Sequence, residues 1–217
     1  MSQPCNKNCN VSQPGSVDKE LNEFWSGNPW TIFEHHILSS FERNRVFINV
    51  HGENFLEISH LTGADIDADS RAVLAVDTRN NGQLDLVLRQ AGGGPLRIFE
   101  NRFPASNFLK VSLRGTTSNR LGIGARLVAS VGTQQIVREL YPINSNQSQA
   151  PSIVHFGIGD AAQIDRLRVR WPSGHEQELT DLQCNQHVII EEGQAQVEAV
   201  VPGQRIAPCP PLLQSRG

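Results

Sequence analysis

Hydrophobic and polar residues alternate along much of the chain between positions 107 and 192. In the clearest case, three apolar side chains alternate with three arginines: Leu167, Val169 and Trp171 with Arg166, Arg168 and Arg170. Successive side chains of a strand point to opposite faces, so one face of this segment is predicted to be buried and the other solvated. Short strands spaced as in sandwiches and barrels are predicted at 107–114, 124–131, 134–140, 152–156, 164–171, 175–180 and 186–191.

A second group of strands is predicted between residues 45 and 101. Two alternating segments flank the turn His51–Asn54 and form a predicted hairpin, and Asn80–Gly82 is a second turn. The strands of this group are predicted at 46–50, 55–58, 72–76, 84–89 and 96–101. The pattern therefore indicates β-structure in both halves of the chain.

Composition and charge narrow the function classes. The 217 residues are 38% hydrophobic and 19% charged, enough to bury a core in one or two domains. The formal charge is −3, and residues 107–193 contain eight basic and eight acidic side chains, so nucleic acid is not expected as a partner. No apolar run of about 18 residues occurs, so no membrane-spanning helix is expected. The first residues lack the apolar core of a signal peptide, which by itself predicts a cytoplasmic protein.

The four cysteines lie towards the ends of the sequence, at Cys5, Cys9, Cys184 and Cys209. The spacing from Cys5 to Cys9 suits metal ligation, but no second pair of cysteine or histidine ligands accompanies it, so zinc is not predicted. Free thiols are expected in a reducing compartment and a Cys184–Cys209 disulfide in an oxidising one. The sequence leaves both states open.

Several motifs after residue 107 resemble those of one family. They are Leu113-x-Gly115 with Ser118–Arg120, Ile123–Arg126, His155–Gly159 and Trp171–Gly174. Through them, residues 107–193 resemble the ASPIC/UnbV domain of the cartilage acidic protein-like family. Trp171 is expected to pack inward, and Pro172-Ser173-Gly174 to reverse the chain. The resemblance implies a non-enzymatic binding or adhesion role and an extracellular or periplasmic location.

The preceding segment resembles one FG-GAP repeat of the VCBS type, the blade of a β-propeller. The resemblance rests on residues 44–49, 63–69, 77–85 and 96–101. One blade cannot close a propeller, because neighbouring blades cover each other's faces. The predicted fold is therefore mostly β: a β-sandwich-like C-terminal domain preceded by a single propeller-blade-like segment and a short N-terminal helix.

The predicted domain boundaries follow from these segments. The helix is expected because Ser16 is a suitable N-cap and because Leu21, Phe24 and Trp25 fall on one helical face. The predicted parts are a disordered tail (1–15), the helix and connector (16–42), the blade-like segment (43–103), the ASPIC/UnbV-like domain (107–193) and an extended tail (194–217).

Two acidic loops of the blade-like segment are candidate calcium sites. Alternate oxygen ligands of a tight loop converge on one point, an arrangement that suits Ca²⁺. The candidate ligands are Asp65, Asp67 and Asp69 in the first loop, and Asp77, Asn81 and Asp85 in the second, where Arg79 occupies a ligand position. The resemblance implies calcium, whereas the residues alone also fit a solvated loop and a hairpin turn. Both interpretations stay open.

No nucleophile elbow and no oriented pair of base and nucleophile is found, so a binding module is favoured over an enzyme. The expected partner is a protein or a glycan, held by loops 115–123, 141–151 and 157–163 at one end of the sandwich. The candidate ligand residues are Asn119, Arg120, Asn144, Asn146, Gln147 and His155. One alternative is a structural accessory that completes another propeller or self-associates through exposed blade edges. A less favoured alternative is a metal-dependent hydrolase that uses Asp65, Asp67, Asp69 and a histidine.

Two further features have more than one interpretation. His155 is expected to form a hydrogen bond in the core, although its motif also makes it a ligand candidate. The arginines of 166–170 are expected to form a solvated or ion-paired face, with a platform for an anionic ligand as the alternative.

Overall fold

The computed structural model describes residues 43–50, 52–66, 70–90, 95–141, 143–145 and 148–200, without the side chain of Asn144. Within these ranges the chain is mostly β, which confirms the predicted fold class. The predicted N-terminal helix, Cys5, Cys9, Asp67, Asp69, Asn146, Gln147 and Cys209 lie outside them.

The described elements are short strands and one four-residue helix. In chain order they are β1 (Phe47–Val50), β2 (Asn54–Glu57), α1 (Ser59–Thr62), β3 (Ser70–Val76), β4 (Asp85–Gln90), β5 (Arg97–Phe99), β6 (Asn107–Arg114), β7 (Arg126–Val131), β8 (Gln134–Glu139), β9 (Ile143–Ser145), β10 (Ser148–Gln149), β11 (Ile153–Gly159), β12 (Gln163–Arg170), β13 (Glu176–Gln183), β14 (Gln186–Glu191) and β15 (Val197–Ala199).

The chain divides into two compact units. Among described residues, the first unit contains the chain up to Thr78, together with Leu84–Arg102 and the segment 143–150. The second unit contains Arg79–Gln83, the segment 103–141 and the chain from Pro151 onward.

The first unit is built from small antiparallel sheets. Strands β1 and β2 form a two-stranded hairpin, and β3, β4 and β5 form a three-stranded sheet in that order. Strands β9 and β10 form a second hairpin, which is joined to β3 because Val73 N donates to Ser145 Oγ at 3.3 Å and Ser145 Oγ donates to Arg71 O at 3.3 Å.

The second unit is a sandwich of two four-stranded sheets. The first sheet has the order β11-β6-β14-β15 and the second the order β13-β12-β7-β8. All neighbouring strands are antiparallel except β6 and β14, which run parallel. Since β6 and β14 are far apart in sequence, their pairing joins the start of the unit to its end.

Alternation along the strands fills the space between the two sheets. On β12, Ile164, Leu167 and Val169 are fully buried while the intervening arginines are exposed. Trp171 has 2% of its surface exposed and packs in the same core, as its motif predicted. Residues of both sheets form this core, with Leu109, Val111, Leu127, Ala129, Phe156, Val188 and Ile190 also fully buried.

The strand predictions are confirmed to within a few residues at the ends, since alternation and turn residues mark these segments well. Strands β9, β10 and β15 and helix α1 were not expected. Strands β9 and β10 carry mostly Asn, Ser and Gln, which have no apolar alternation, so the sequence gives little sign of a hairpin there.

The prediction that three ligand loops share one end of the sandwich is wrong. Loop 115–123 follows the last residue of β6, whereas Gly157 and Gly159 pair with the first residues of that strand, Phe108 and Asn107. Loops 115–123 and 157–163 therefore lie at opposite ends of the first sheet. Most of the third loop, 143–150, belongs to the first unit.

Candidate functional site

The carboxylate of Glu192 fixes the loop that follows β6. Its side chain is 5% exposed, and its Oε2 accepts hydrogen bonds from the backbone N–H groups of Thr116, Thr117 and Ser118 at 2.9, 2.8 and 2.8 Å. Its Oε1 accepts from Ser118 Oγ at 2.9 Å and from Ser173 Oγ at 2.5 Å. One carboxylate thus joins the Ser118–Arg120 motif to the Trp171–Gly174 motif.

These contacts change the acidity of Glu192. Burial alone raises the pKa of the carboxyl, but hydrogen bonds from Ser118 N, Ser173 Oγ, Thr116 N and Thr117 N favour the charged form and lower the pKa to about 2. The group therefore stays ionised at neutral pH, in the state that accepts all five bonds. This arrangement stabilises the loop.

Trp171 and Gln177 form the neighbouring polar contact of the core. Trp171 Nε1 donates to Gln177 Oε1 at 3.1 Å, and Gly193 N donates to the same oxygen at 3.1 Å. The amide nitrogen of Gln177 donates to Glu191 O at 3.2 Å and to Gln194 O. The indole N–H is thereby satisfied, and the turn after β14 is tied to β13.

A row of basic side chains crosses the outer face of the first sheet. Lys110 pairs in register with His155 on one side and with His187 on the other. Lys110 donates to Asn80 Oδ1, and His187 Nε2 lies 2.8 Å from Ser112 Oγ. Burial, and secondly Lys110, lower the pKa of His187. Since each polar group has a protein partner, the row is a packed face and not a free binding cluster.

His155 forms a hydrogen bond, but it lies half-buried on the outer face of the first sheet and not in the core, where it was expected. Its Nε2 lies 2.7 Å from Gly82 O, which requires a proton on that nitrogen, and its ring stacks on Phe108 with centroids 5.9 Å apart. It stands on β11, level with Lys110, about five residues or 17 Å along the sheet from the start of loop 115–123. His155 therefore does not group with Asn119 and Arg120.

Gly82 packs against the ring of Phe108. Replacing Gly82 with alanine is expected to destabilise the fold by about 2–4 kcal/mol. Its φ is +84°, and a Cβ at this position would lie 1.9 Å from Phe108 Cδ1. Thermal unfolding measures the loss. Gly193→Ala is the matched control, because Gly193 has φ +83° and space around a Cβ. Equal losses in the two variants would contradict the packing argument.

The remaining ligand candidates differ in their exposure and in the contacts of their side chains. Asn119 is exposed, but its side chain is held within the loop: Oδ1 accepts from Ile123 N at 2.8 Å and Nδ2 donates to Ile123 O at 2.7 Å. Arg120 is exposed in the same loop. Asn144 lies on β9, and its side chain, like Asn146 and Gln147, is outside the described part of the chain. A ligand role for these residues stays a prediction.

The described calcium candidates already have protein contacts. The two oxygens of Asp85, which is 1% exposed, accept from Thr78 Oγ1 and, at 2.8 Å, from Asn101 N. Asn81 Oδ1 accepts from Gln83 N at 3.1 Å, and Asp65 lies 3.2 Å from the guanidinium of Arg43. In the described ranges no three acidic, histidine or cysteine side chains are placed to hold a metal. Asp77 is described, but Asp67 and Asp69 are not, and calcium binding stays a prediction.

Exposed apolar side chains are the prominent surface feature of the first unit. Of the 23 buried hydrophobic residues found among the described positions, three belong to this unit, namely Ile58, Ala64 and Leu88. Of the 14 exposed large hydrophobics, nine belong to it: Phe47, Val50, Phe55, Leu56, Leu61, Val73, Leu96, Ile98 and Ile143. An apolar surface of this kind is typical of an interaction site.

Part of this surface forms a groove of about 360 Å³. Leu88 on β4, which is 7% exposed, contributes to its lining with Phe47, Val73, Leu86 and Phe99. Ser70 also lines the groove, and its Oγ is buried without a hydrogen bond from any described residue.

The fold places an apolar groove in the first unit and a β-sandwich in the second. Residues 115–197 match the family model described as ASPIC and UnbV. This match confirms the resemblance that the motifs of this segment carry. No curated protein matches the chain. In the described residues no helix is both long and apolar enough to span a membrane.

Proposed function

We propose that this chain is a non-catalytic binding module that recognises a protein through the first unit. The observation that supports this most directly is the excess of exposed over buried apolar side chains in that unit. Removing apolar surface from water is favourable by about 25 cal/mol for each Å², before the entropic cost of association is subtracted. The groove beside Phe47 and Val73 supplies a concave site for side chains of the partner.

A protein partner fits this surface better than a glycan. Phe47 and Phe55 share one face of the β1–β2 hairpin by their register, and both are more than half exposed. Aromatic and aliphatic side chains together are characteristic of the centre of protein interfaces. The groove is lined by Val73, Leu86 and Leu88 as well, whereas a glycan requires many hydrogen-bonding groups for its hydroxyls.

Self-association is the second candidate, and the hairpin favours it. Strands β1 and β2 pair with each other and with no other described strand, so each has an edge on which another strand can add. In this form the partner is a second copy of the chain, and sedimentation at rising concentration measures it. If the unaltered chain forms a dimer and Phe55→Ser dissociates it, the partner of the first unit is a second copy of the chain.

The test is capture of proteins by the immobilised full chain, compared across surface variants. Phe55 is 64% exposed and Val73 43%, so Phe55→Ser and Val73→Asp are expected to fold normally. We expect each to weaken the affinity of a captured protein at least about tenfold, since truncation of a hot-spot residue at an interface centre costs about 2 kcal/mol or more, that is roughly 30-fold. Calorimetry with each captured protein gives the affinities.

Tyr141→Ser is the matched control. Tyr141 is 66% exposed and belongs to the second unit, so its loss removes a similar aromatic surface elsewhere. Captured proteins that bind Phe55→Ser and Val73→Asp as tightly as the unaltered chain would overturn the proposal.

A further inference from the structure

We propose that the outer face of the second sheet binds an anionic glycan along a column of arginines on β12. Arg166, Arg168 and Arg170 all point outward, because the residues between them are buried. Alternate residues of a strand are about 6.8 Å apart, so the column presents three guanidinium groups in a line. Arg126 on β7 stands beside Arg170 in register and adds a fourth.

The pairing of Arg170 with Arg126 is a like-charge contact. Side chains directly opposite each other on one sheet face are close neighbours, and like charges there are destabilising. Arg126 lies 3.3 Å from Glu139, but Arg170 forms no ion pair with any described residue, although Glu176 is its register partner on β13. An anion placed between Arg126 and Arg170 removes this repulsion.

Glu178 limits the charge available to a ligand. Its carboxylate lies 3.4 Å from Arg166 and 3.9 Å from Arg168, so one acid serves two arginines. These side chains are about half exposed, and surface ion pairs of this kind contribute little stability. A polyanion can therefore displace Glu178 at small cost, and removal of Glu178 is expected to strengthen binding.

The chemistry of the face favours a sulfated or carboxylated glycan. The register places Ser130, Gln135 and Thr180 on the same outward side, where they can bond to hydroxyl groups. The register identifies the outward side chains of β13, β12, β7 and β8, and none of these is aromatic. These side chains therefore offer no platform on which nucleic acid bases can stack. The exposed apolar side chain on this face is Val137, which is too little for insertion into a membrane.

The experiment is calorimetry of the full chain with heparin and with hyaluronate, which separates sulfate from carboxylate recognition. We expect the double variant Arg126→Gln/Arg170→Gln to bind about tenfold more weakly, because two charge-assisted contacts are lost. Glu178→Gln is expected to bind more tightly than the unaltered chain. Affinity is expected to fall as salt is raised.

Arg89→Gln/Arg97→Gln is the control, since it removes the same charge from exposed positions on β4 and β5. Equal weakening in both double variants would show a net-charge effect and overturn the assignment of the site. Absence of binding to both glycans, or tighter binding to single-stranded DNA or phosphatidylserine vesicles, would overturn the glycan assignment. The variants at Arg126, Arg170 and Glu178 all lie in the second unit and leave the surface of the first unit unchanged, so their outcome is independent of the proposed protein partner.

Discussion

Replacing Glu192 with glutamine is expected to lower the free energy of unfolding by about 3–5 kcal/mol, a loss typical of an uncompensated buried network. The variant keeps the size of the side chain, but it removes the charge that accepts three backbone N–H groups and two hydroxyls. The amide of glutamine also directs N–H groups at other donors. Denaturant unfolding near pH 7 measures the difference.

The lowered pKa of Glu192 predicts that the free energy of unfolding depends on pH. The pKa of Glu192 is lowered in the folded chain from 4.5 to about 2, so the unfolded state binds the proton more readily. The stability that Glu192 contributes is therefore fully present above about pH 4.5 and is lost as the pH falls through about 2. The unfolding free energies of the unaltered chain and of Glu192→Gln are expected to converge over this range.

Glu191→Gln is the control for both measurements. Glu191 is the preceding residue, and its carboxylate lies 3.1 Å from Arg114 in a partly exposed ion pair. Such pairs contribute about 0–1 kcal/mol, so a small loss is expected. A loss at Glu192 no larger than at Glu191 would contradict the role of Glu192 in the loop.

Replacing Trp171 with alanine is expected to cost about 3–5 kcal/mol, through lost apolar contact and the cavity that remains. Trp171 is among the largest fully buried side chains of the sandwich, and its indole N–H is bonded to Gln177. The variant leaves Gln177 Oε1 with the bond from Gly193 N and removes the bond from the ring. A thermal melt of the full chain gives the size of the loss.

Tyr141→Ala controls for the removal of an aromatic side chain, because Tyr141 is 66% exposed. It is expected to change stability by less than about 0.5 kcal/mol. A similar melting temperature for Trp171→Ala and Tyr141→Ala would mean that Trp171 is not part of the core.

The sequence predicted the strands of the sandwich better than their arrangement. Alternation such as that of 166–171 reports which side of a strand is buried, and this is a local property. The partner of a strand is not local: β6 pairs in parallel with β14, so Lys110 and His187 become neighbours across 77 residues. The register of β11 on β6 is not local either, and it is this register that places loops 115–123 and 157–163 at opposite ends of the first sheet.

The contacts of Glu192 could not be predicted from the sequence for the same reason, because the residues that they join are far apart along the chain. Thr116, Thr117 and Ser118 offer a row of donors, but nothing in the chain near them indicates that Glu192 is their acceptor. The apolar surface of the first unit was also missed, because alternation in segments such as 46–50 and 55–58 predicts one buried face. In the structure, Phe55 and Leu56 lie on opposite faces of the hairpin, and both are exposed.

Hydrogen–deuterium exchange of the full chain, with and without a captured partner protein, tests the proposed binding function most directly. Binding through the first unit predicts slower exchange in β1 to β5 (residues 47–50, 54–57, 70–76, 85–90 and 97–99) and unchanged exchange in the second unit. Slower exchange confined to the sandwich, for example in loop 115–123, with β1 to β5 unaffected, would contradict the proposal.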